Sequence, residues 1–130
     1  MIMIKRNRRV NGVPDRLRHK AVLYARVSSA EQEKEGFSIP AQLRLLHEYA
    51  AQLGIEVVQE FVDVETAKKA GRANFNKMLA FLEESDWIRT VLVEKADRLY
   101  RNFRDYVTID DLHLEIHLVK ENEILSRNSR

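Results

Sequence analysis

Two short stretches carry residue types that could do chemistry. The first is Tyr24-Ala25-Arg26-Val27-Ser28-Ser29, where an apolar, partly β-branched run over residues 21–27 ends in two hydroxyls. The run predicts a strand, and alternation along a strand puts Arg26 and Ser28 on one side. A serine at the carboxyl end of an early strand stands where open α/β sheets place their ligands. An always-charged guanidinium beside it suits a phosphate rather than an acyl group. The competing reading is that Ser28 and Ser29 only turn the chain.

The second stretch is Glu94-Lys95-Ala96-Asp97-Arg98-Leu99-Tyr100-Arg101. It follows Thr90-Val91-Leu92-Val93, a near-continuous apolar run of the kind buried on both faces of a parallel sheet. It therefore falls at another strand's carboxyl end, near Ser28 if the sheet is parallel. On a helix starting there, Arg98 and Arg101 are three apart and point the same way, with Asp97 in the first turn. The alternative is a charged helix start with surface ion pairs of little worth.

A hydroxyl nucleophile among Arg26, Arg98, Arg101 and Arg72, without a set of metal ligands, suggests phosphoryl transfer that needs no metal. Charge grows on the non-bridging oxygens as the nucleophile attacks, and preorganised guanidiniums stabilise it. No histidine adjoins Ser28, so Asp97, a lysine or an arginine must handle its proton. On this reading Arg98→Ala weakens catalysis far more than folding.

The elements that must position these residues alternate between strand and helix. Ser38 predicts an N-cap, with Pro40 in the first turn and Leu43, Leu46, Ala50 and Leu53 as an amphipathic stripe ending at Gly54. Residues 56–61 read as a short strand and 63–72 as a polar loop. Asn74 is the expected cap of a second helix carrying Met78, Leu79, Phe81 and Leu82. A helix over about 102–114 and a strand near 116–119 complete the order. The expectation is a three-layer α/β fold: a mostly parallel central sheet with helices on both faces.

Bulk properties limit the classes. The 130 residues make one domain with no cysteine, so disulfides and thiolate metal sites are excluded. No apolar run reaches membrane-spanning length and no signal peptide is evident, which points to the cytoplasm and away from a membrane. The net charge of +2 is uneven: residues 1–20 hold seven cations and one carboxylate, a net +6, leaving −4 elsewhere. Residues 1–20, with turn punctuation at 11–15, read as a flexible basic arm. There Lys5, Arg6, Arg8 and Arg9 could bind DNA weakly through its phosphates, or the arm is only a solvated leader.

His113, Glu115 and His117 have metal-like spacing and would share a strand face, but their order is not the zinc-protease pattern. They read as the polar face of the last strand. His19 and His47 read as surface residues, Trp87 and Phe103 as packing anchors, and Tyr24 as structural.

Tyr24 to Ser29, then Gln32, then Gly36-Phe37-Ser38-Ile39-Pro40-Ala41-Gln42, then Lys95-x-Asp97-Arg98-Leu99-x-Arg101 resembles the catalytic domain of serine site-specific recombinases, the resolvase/invertase family. The long loop before Gln42 is more similar to the large serine recombinases or transposon recombinases than to small resolvases. The resemblance runs from about residue 21 to the end. It implies that Ser28 attacks a DNA phosphodiester, forms a 5′-phosphoserine link and releases a 3′-hydroxyl, with religation by the reverse step. It implies no metal and no other cofactor. Arg26, Gln42, Arg72, Lys95, Asp97, Arg98 and Arg101 carry over as supporting residues, and Gln32 more weakly. DNA and further copies of the chain, as dimer or tetramer, are the implied partners.

Two departures stand out. Glu65-Thr66-Ala67 replaces a small Ser-Gly pair usual after the second strand. The chain also ends at Arg130, before the family's long assembly helix and DNA-binding region. The expected organisation is therefore an arm over 1–20 and a truncated catalytic domain over 21–130. The alternative function is an inactive recombinase remnant with weak non-specific DNA binding.

Overall fold

The computed structural model describes residues 20–28, 38–66 and 72–126. The elements are β1 (Lys20–Ser28), α1 (Ile39–Leu53), β2 (Glu56–Glu65), α2 (Ala73–Glu83), β3 (Thr90–Val93), α3 (Ala96–Leu99), α4 (Phe103–Asp111), β4 (Glu115–Leu118) and β5 (Glu123–Leu125). The sheet order is β2-β1-β3-β4-β5. The first four strands are parallel and β5 is antiparallel to β4. This is the three-layer α/β arrangement expected from the alternation of elements. The last hairpin was not anticipated; it turns through Val119–Glu121 and Asn122, whose positive φ of 55° suits asparagine.

Alternation along the central strands builds two cores. Val22, Tyr24, Val91 and Val93 face Phe75, Met78 and Leu82 of α2 and Ile109 of α4. Ala21, Leu23 and Leu92 face Leu46 and Ala50 of α1. Each fully buried leucine or methionine here contributes roughly 2 kcal/mol. Arg26 and Ser28 continue the Val22–Tyr24 parity, so they project on the α2 and α4 side of the sheet.

Helix α1 begins and ends as its sequence predicts. Ser38 Oγ accepts from the Ala41 N–H at 3.3 Å, and Gly54 closes the helix at φ 71°, where a side chain would be strained. Helix α2 differs from expectation. Asn74 is not its cap; the acceptor comes from the neighbouring strand. Asp63, buried on β2, takes the Asn74 N–H at 3.0 Å and the Phe75 N–H at 2.9 Å, while Asn74 Nδ2 donates to the Val62 carbonyl. Strand β2 accordingly runs on to Glu65 instead of stopping near residue 61.

Trp87 and Phe103 are not core anchors: they are 53% and 78% exposed. Phe103 stacks on Tyr106 at 6.2 Å, and Lys20 Nζ lies 5.8 Å from the Trp87 ring. His113 also departs from expectation. It precedes β4 with φ 57°, so it does not share a strand face with Glu115 and His117. His117 is buried, bonded to the Tyr49 hydroxyl at 2.6 Å and to Glu115 at 2.9 Å. His47 lies at the surface against Glu60.

Asp63 binds two helix N–H groups and the Tyr24 hydroxyl (2.7 Å) from a buried position. Asp63→Ala should therefore cost about 3 kcal/mol in urea unfolding, whereas Tyr24→Phe, which leaves the helix contacts intact, should cost about 1. Equal small losses in both would remove Asp63 from this role.

Candidate active site

The site forms where β1 outruns its neighbour. Pairing of β1 with β3 stops at Tyr24↔Val93, but β1 continues to Ser28 alongside β2. Beyond that last pair, the buried Gln42 of α1 supplies what a strand would. Its Oε1 accepts from the Arg26 N–H at 3.2 Å and its Nε2 donates to the Arg26 carbonyl at 3.1 Å. A primary amide can do both, which a carboxylate or hydroxyl of that length could not. Gln42 thus fixes the backbone two residues before Ser28.

The Arg26 side chain ties three segments together. Its Nε donates to the Arg98 carbonyl at 3.0 Å, its Nη2 to the Asp97 carbonyl, and its Nη1 to Glu65 Oε1 at 2.9 Å. The other oxygen of Glu65 accepts from Arg101 Nη1 at 2.5 Å. One carboxylate therefore bridges two of the expected phosphate ligands. Glu65 is also the residue paired with Ser28 in the β1–β2 register.

Arg72 sits deeper. Its Nη1 meets Asp105 at 2.6 Å and its Nη2 the Leu99 carbonyl at 2.5 Å, and Nε lies 3.4 Å from the Tyr24 hydroxyl. Its guanidinium lies 3.8 Å from the Phe75 ring centroid, a cation–π contact. Asp105 also accepts from the Arg101 N–H at 2.8 Å. Arg72 and Arg101 line an open polar depression of about 320 Å³ with Phe75, Asn76, Asn102 and Asp105.

Helix α3 ends at Leu99, so Arg101 lies beyond it and the shared face expected for Arg98 and Arg101 does not arise. Arg101 is exposed, whereas Arg98 is buried and paired with the buried Glu94 at 3.1 Å. Lys120 reaches the other Glu94 oxygen at 3.3 Å. Lys95 caps α3 in extended conformation, and Asp97 is exposed in its first turn.

The structure thus gathers Arg26, Gln42, Arg72, Asp97, Arg98 and Arg101 around the end of β1. Ser29, Gln32, the Gly36-Phe37 part of the motif, His19, and Lys5, Arg6, Arg8 and Arg9 lie outside the described residues. Three acids that the motif did not single out, Glu65, Glu94 and Asp105, each hold a site arginine, and Asp63 acts behind them through the Tyr24 hydroxyl. The one signal for the three in sequence is position, at a strand end or one turn past an arginine. Among the described residues, no three of His, Asp and Glu are grouped to hold a metal. No helix there is long and apolar enough to cross a membrane.

The fold and this arrangement define a recombinase-type catalytic domain. A family model described as "Resolvase, N terminal domain" matches residues 21–129, and the chain belongs to that family. The N-terminal catalytic domain of TP901-1 integrase is similar at TM-score 0.69 and 30% identity, with 81% of each chain covered. A resolvase family site-specific recombinase from Streptococcus pneumoniae gives TM-score 0.69 and 30% identity over 83% of this chain and 76% of that one. The catalytic domain of ISC1926 TnpA, an IS607-like serine recombinase, gives TM-score 0.63 and 29% identity over 77% and 67%. An uncharacterized immunity region protein 3 of Bacillus phage phi105 is 36% identical over 63 residues, covering 48% of this chain and 77% of that protein.

The burial of Arg98 gives its substitution a cost in folding as well. Arg98→Ala leaves the Glu94 carboxylate buried with Lys120 alone, so it should cost about 3 kcal/mol or more in chemical denaturation. A variant as stable as the parent would show the pair to be dispensable. Tyr24 gives a pH dependence. Burial, above all, pushes its phenol up from the ordinary 10.0, with the Arg72 bond opposing and the Asp63 bond reinforcing. The folded state then keeps a proton that the unfolded chain loses, so stability is full below about pH 10 and falls as pH rises further. Denaturation at pH 9, 10 and 11 should show a shallower decline in Tyr24→Phe than in the parent; parallel curves would contradict this.

Proposed function

We propose that the chain is the catalytic part of a site-specific DNA recombinase that works from the cytoplasm. The Ser28 hydroxyl attacks the scissile phosphorus: the Oγ–P bond forms, the P–O3′ bond breaks, and the 3′-oxygen leaves as a hydroxyl. The product is a 5′-phosphoserine link, which a 3′-hydroxyl of the exchanged strand attacks to rejoin the DNA and restore Ser28. No metal or nucleotide takes part; positive charge from arginine does the work at the phosphate. The observation that carries the reading is the projection of Ser28 and Arg26 on one sheet face, at a strand end where Arg101 and Arg72 converge.

Within this reading, Arg26 and Arg101 contact the non-bridging oxygens. Arg72 and Arg98, each held by an acid, support the clamp from below. Gln42 is a positioning residue, acting through the Arg26 backbone. Lys95 and Asp97, at the start of α3, are candidates for moving the Ser28 proton. The basic arm over residues 1–20 adds weak phosphate contacts that are independent of sequence. Further copies of the chain would bring the other strands.

The second reading is a recombinase remnant that binds DNA weakly and does not cleave. It is favoured by the engagement of Arg26, Arg72, Arg98 and Arg101 with carboxylates. One experiment separates the two. The chain, fused to an assembly and DNA-binding segment, is incubated with nicked DNA and run on a denaturing gel. The first reading expects a covalent adduct that Ser28→Ala abolishes. An adduct that survives the change would remove Ser28 as nucleophile, and no adduct with the parent would favour the remnant.

A further inference from the structure

Among the described residues, Glu65 is the one acid whose carboxylate bridges the guanidiniums of two arginines assigned to phosphate. Its two oxygens lie against different guanidiniums, Oε1 on Arg26 at 2.9 Å and Oε2 on Arg101 at 2.5 Å. Two oxygens of one anion spanning two guanidiniums is also how a phosphodiester presents its non-bridging oxygens. The carboxylate is in addition well placed for the comparison. Its residue pairs with Ser28 across β1 and β2, and paired residues of parallel strands project to the same face. A phosphorus within attacking distance of the serine must come close to where the Glu65 carboxylate now lies.

The other acids of the site differ in this respect. Asp105 holds the Arg72 guanidinium in a depression wall and otherwise takes only the Arg101 backbone N–H, and Glu94 holds Arg98 beneath β3, so neither bridges two guanidiniums of the cluster. Asp63 is committed to the Tyr24 hydroxyl and the start of α2. Glu65 has no such structural duty beyond the arginines, and its side chain remains 11% exposed at the end of a sheet-edge strand.

From this we propose that Glu65 is a built-in occupant of the phosphate clamp. Its carboxylate holds Arg26 and Arg101 in place in the absence of DNA, and an incoming phosphate must displace it by rotation of the side chain toward solvent. The residue is a positioning and gating group, acting through the arginines. It keeps the clamp assembled at low cost in repulsion, and it sets a threshold: only a phosphate delivered with binding energy from elsewhere in the complex replaces it. Free phosphate and non-specific backbone contacts are thereby discriminated against. The inference rests on Arg26 and Arg101 being phosphate ligands.

The test uses inorganic phosphate as the probe, titrated into the 130-residue chain at fixed ionic strength by calorimetry or amide chemical shifts. Glu65→Gln should bind phosphate roughly tenfold tighter than the parent, since one of the two competing anions has lost its charge. Glu65→Ser should do the same, which covers a failure of the glutamine variant to fold. Adding Arg101→Ala to either should erase the gain. A merely structural Glu65 would lower the melting temperature of the variants with no gain in phosphate affinity, and that result overturns the proposal. Phosphate binding in the parent that Arg101→Ala abolishes, without a gain in the Glu65 variants, would leave the clamp standing and remove the gate. Absence of binding in every variant would remove both. Adduct formation by Ser28 is read separately, so its failure does not touch this measurement.

Discussion

The Arg26 guanidinium is the contact on which the site depends. It joins β1, where it originates, to the backbone of α3 and to the last residue of β2. These segments are far apart in sequence, and β3 ends too early to hold the end of β1 by strand pairing. Besides that guanidinium, pairing with β2 and the Gln42 amide hold the end of β1. The same group that faces the expected phosphate is thus a structural rivet, so its geometry is fixed before any ligand arrives. That is the condition under which a positive group stabilises developing charge without reorganising.

Around it, the arginines divide by depth. Arg98 and Arg72 are buried and each is matched by one acid, so they are locked and their charges largely offset. Arg101 is exposed and shares its acid with Arg26. Two cations with one carboxylate leave a net positive charge at the mouth, next to Ser28. The floor of the site is rigid and close to neutral, and its rim carries the charge a nucleic acid would meet first. Tyr24 belongs to this floor: it was read as structural, and it is, but it also carries the hydroxyl that links Asp63 to Arg72.

Much of this was legible in the residues. The strand ending in Ser28, the cap and stop of α1, and the fully buried β3 all follow from local rules of alternation, capping and apolar runs. Arg26, Gln42 and Arg101, far apart in sequence, lie together around the end of β1. What could not be read was pairing across distance. Asp63 caps α2 from another strand, so the helix start carried no local signal and Asn74 took the credit. Arg98 looked like a helix-face partner of Arg101 because nothing in the sequence shows that α3 stops after four residues. Residue type points Trp87 and Phe103 to the core, but Trp87 falls in the turn between α2 and β3 and Phe103 at the very start of α4, and both stay exposed. Glu65 was noted only as a departure from a small-residue pattern; its role depends on β2 running four residues longer than its alternation suggested.

The length of β2 has a consequence for how copies of this domain meet. It is an edge strand ten residues long, the kind of exposed ladder that recruits another strand. Yet its sequence, Glu56-Val57-Val58-Gln59-Glu60-Phe61-Val62-Asp63-Val64-Glu65, contains four carboxylates and no cation. Two such edges brought side by side would set the exposed Glu56 and Glu60 of each against the other, while Asp63 and Glu65 are turned to partners within the domain. The strand that carries Glu65 to the serine therefore also carries, in its first half, charge that opposes edge-to-edge pairing, while the short β5 on the far side of the sheet has Glu123 alone.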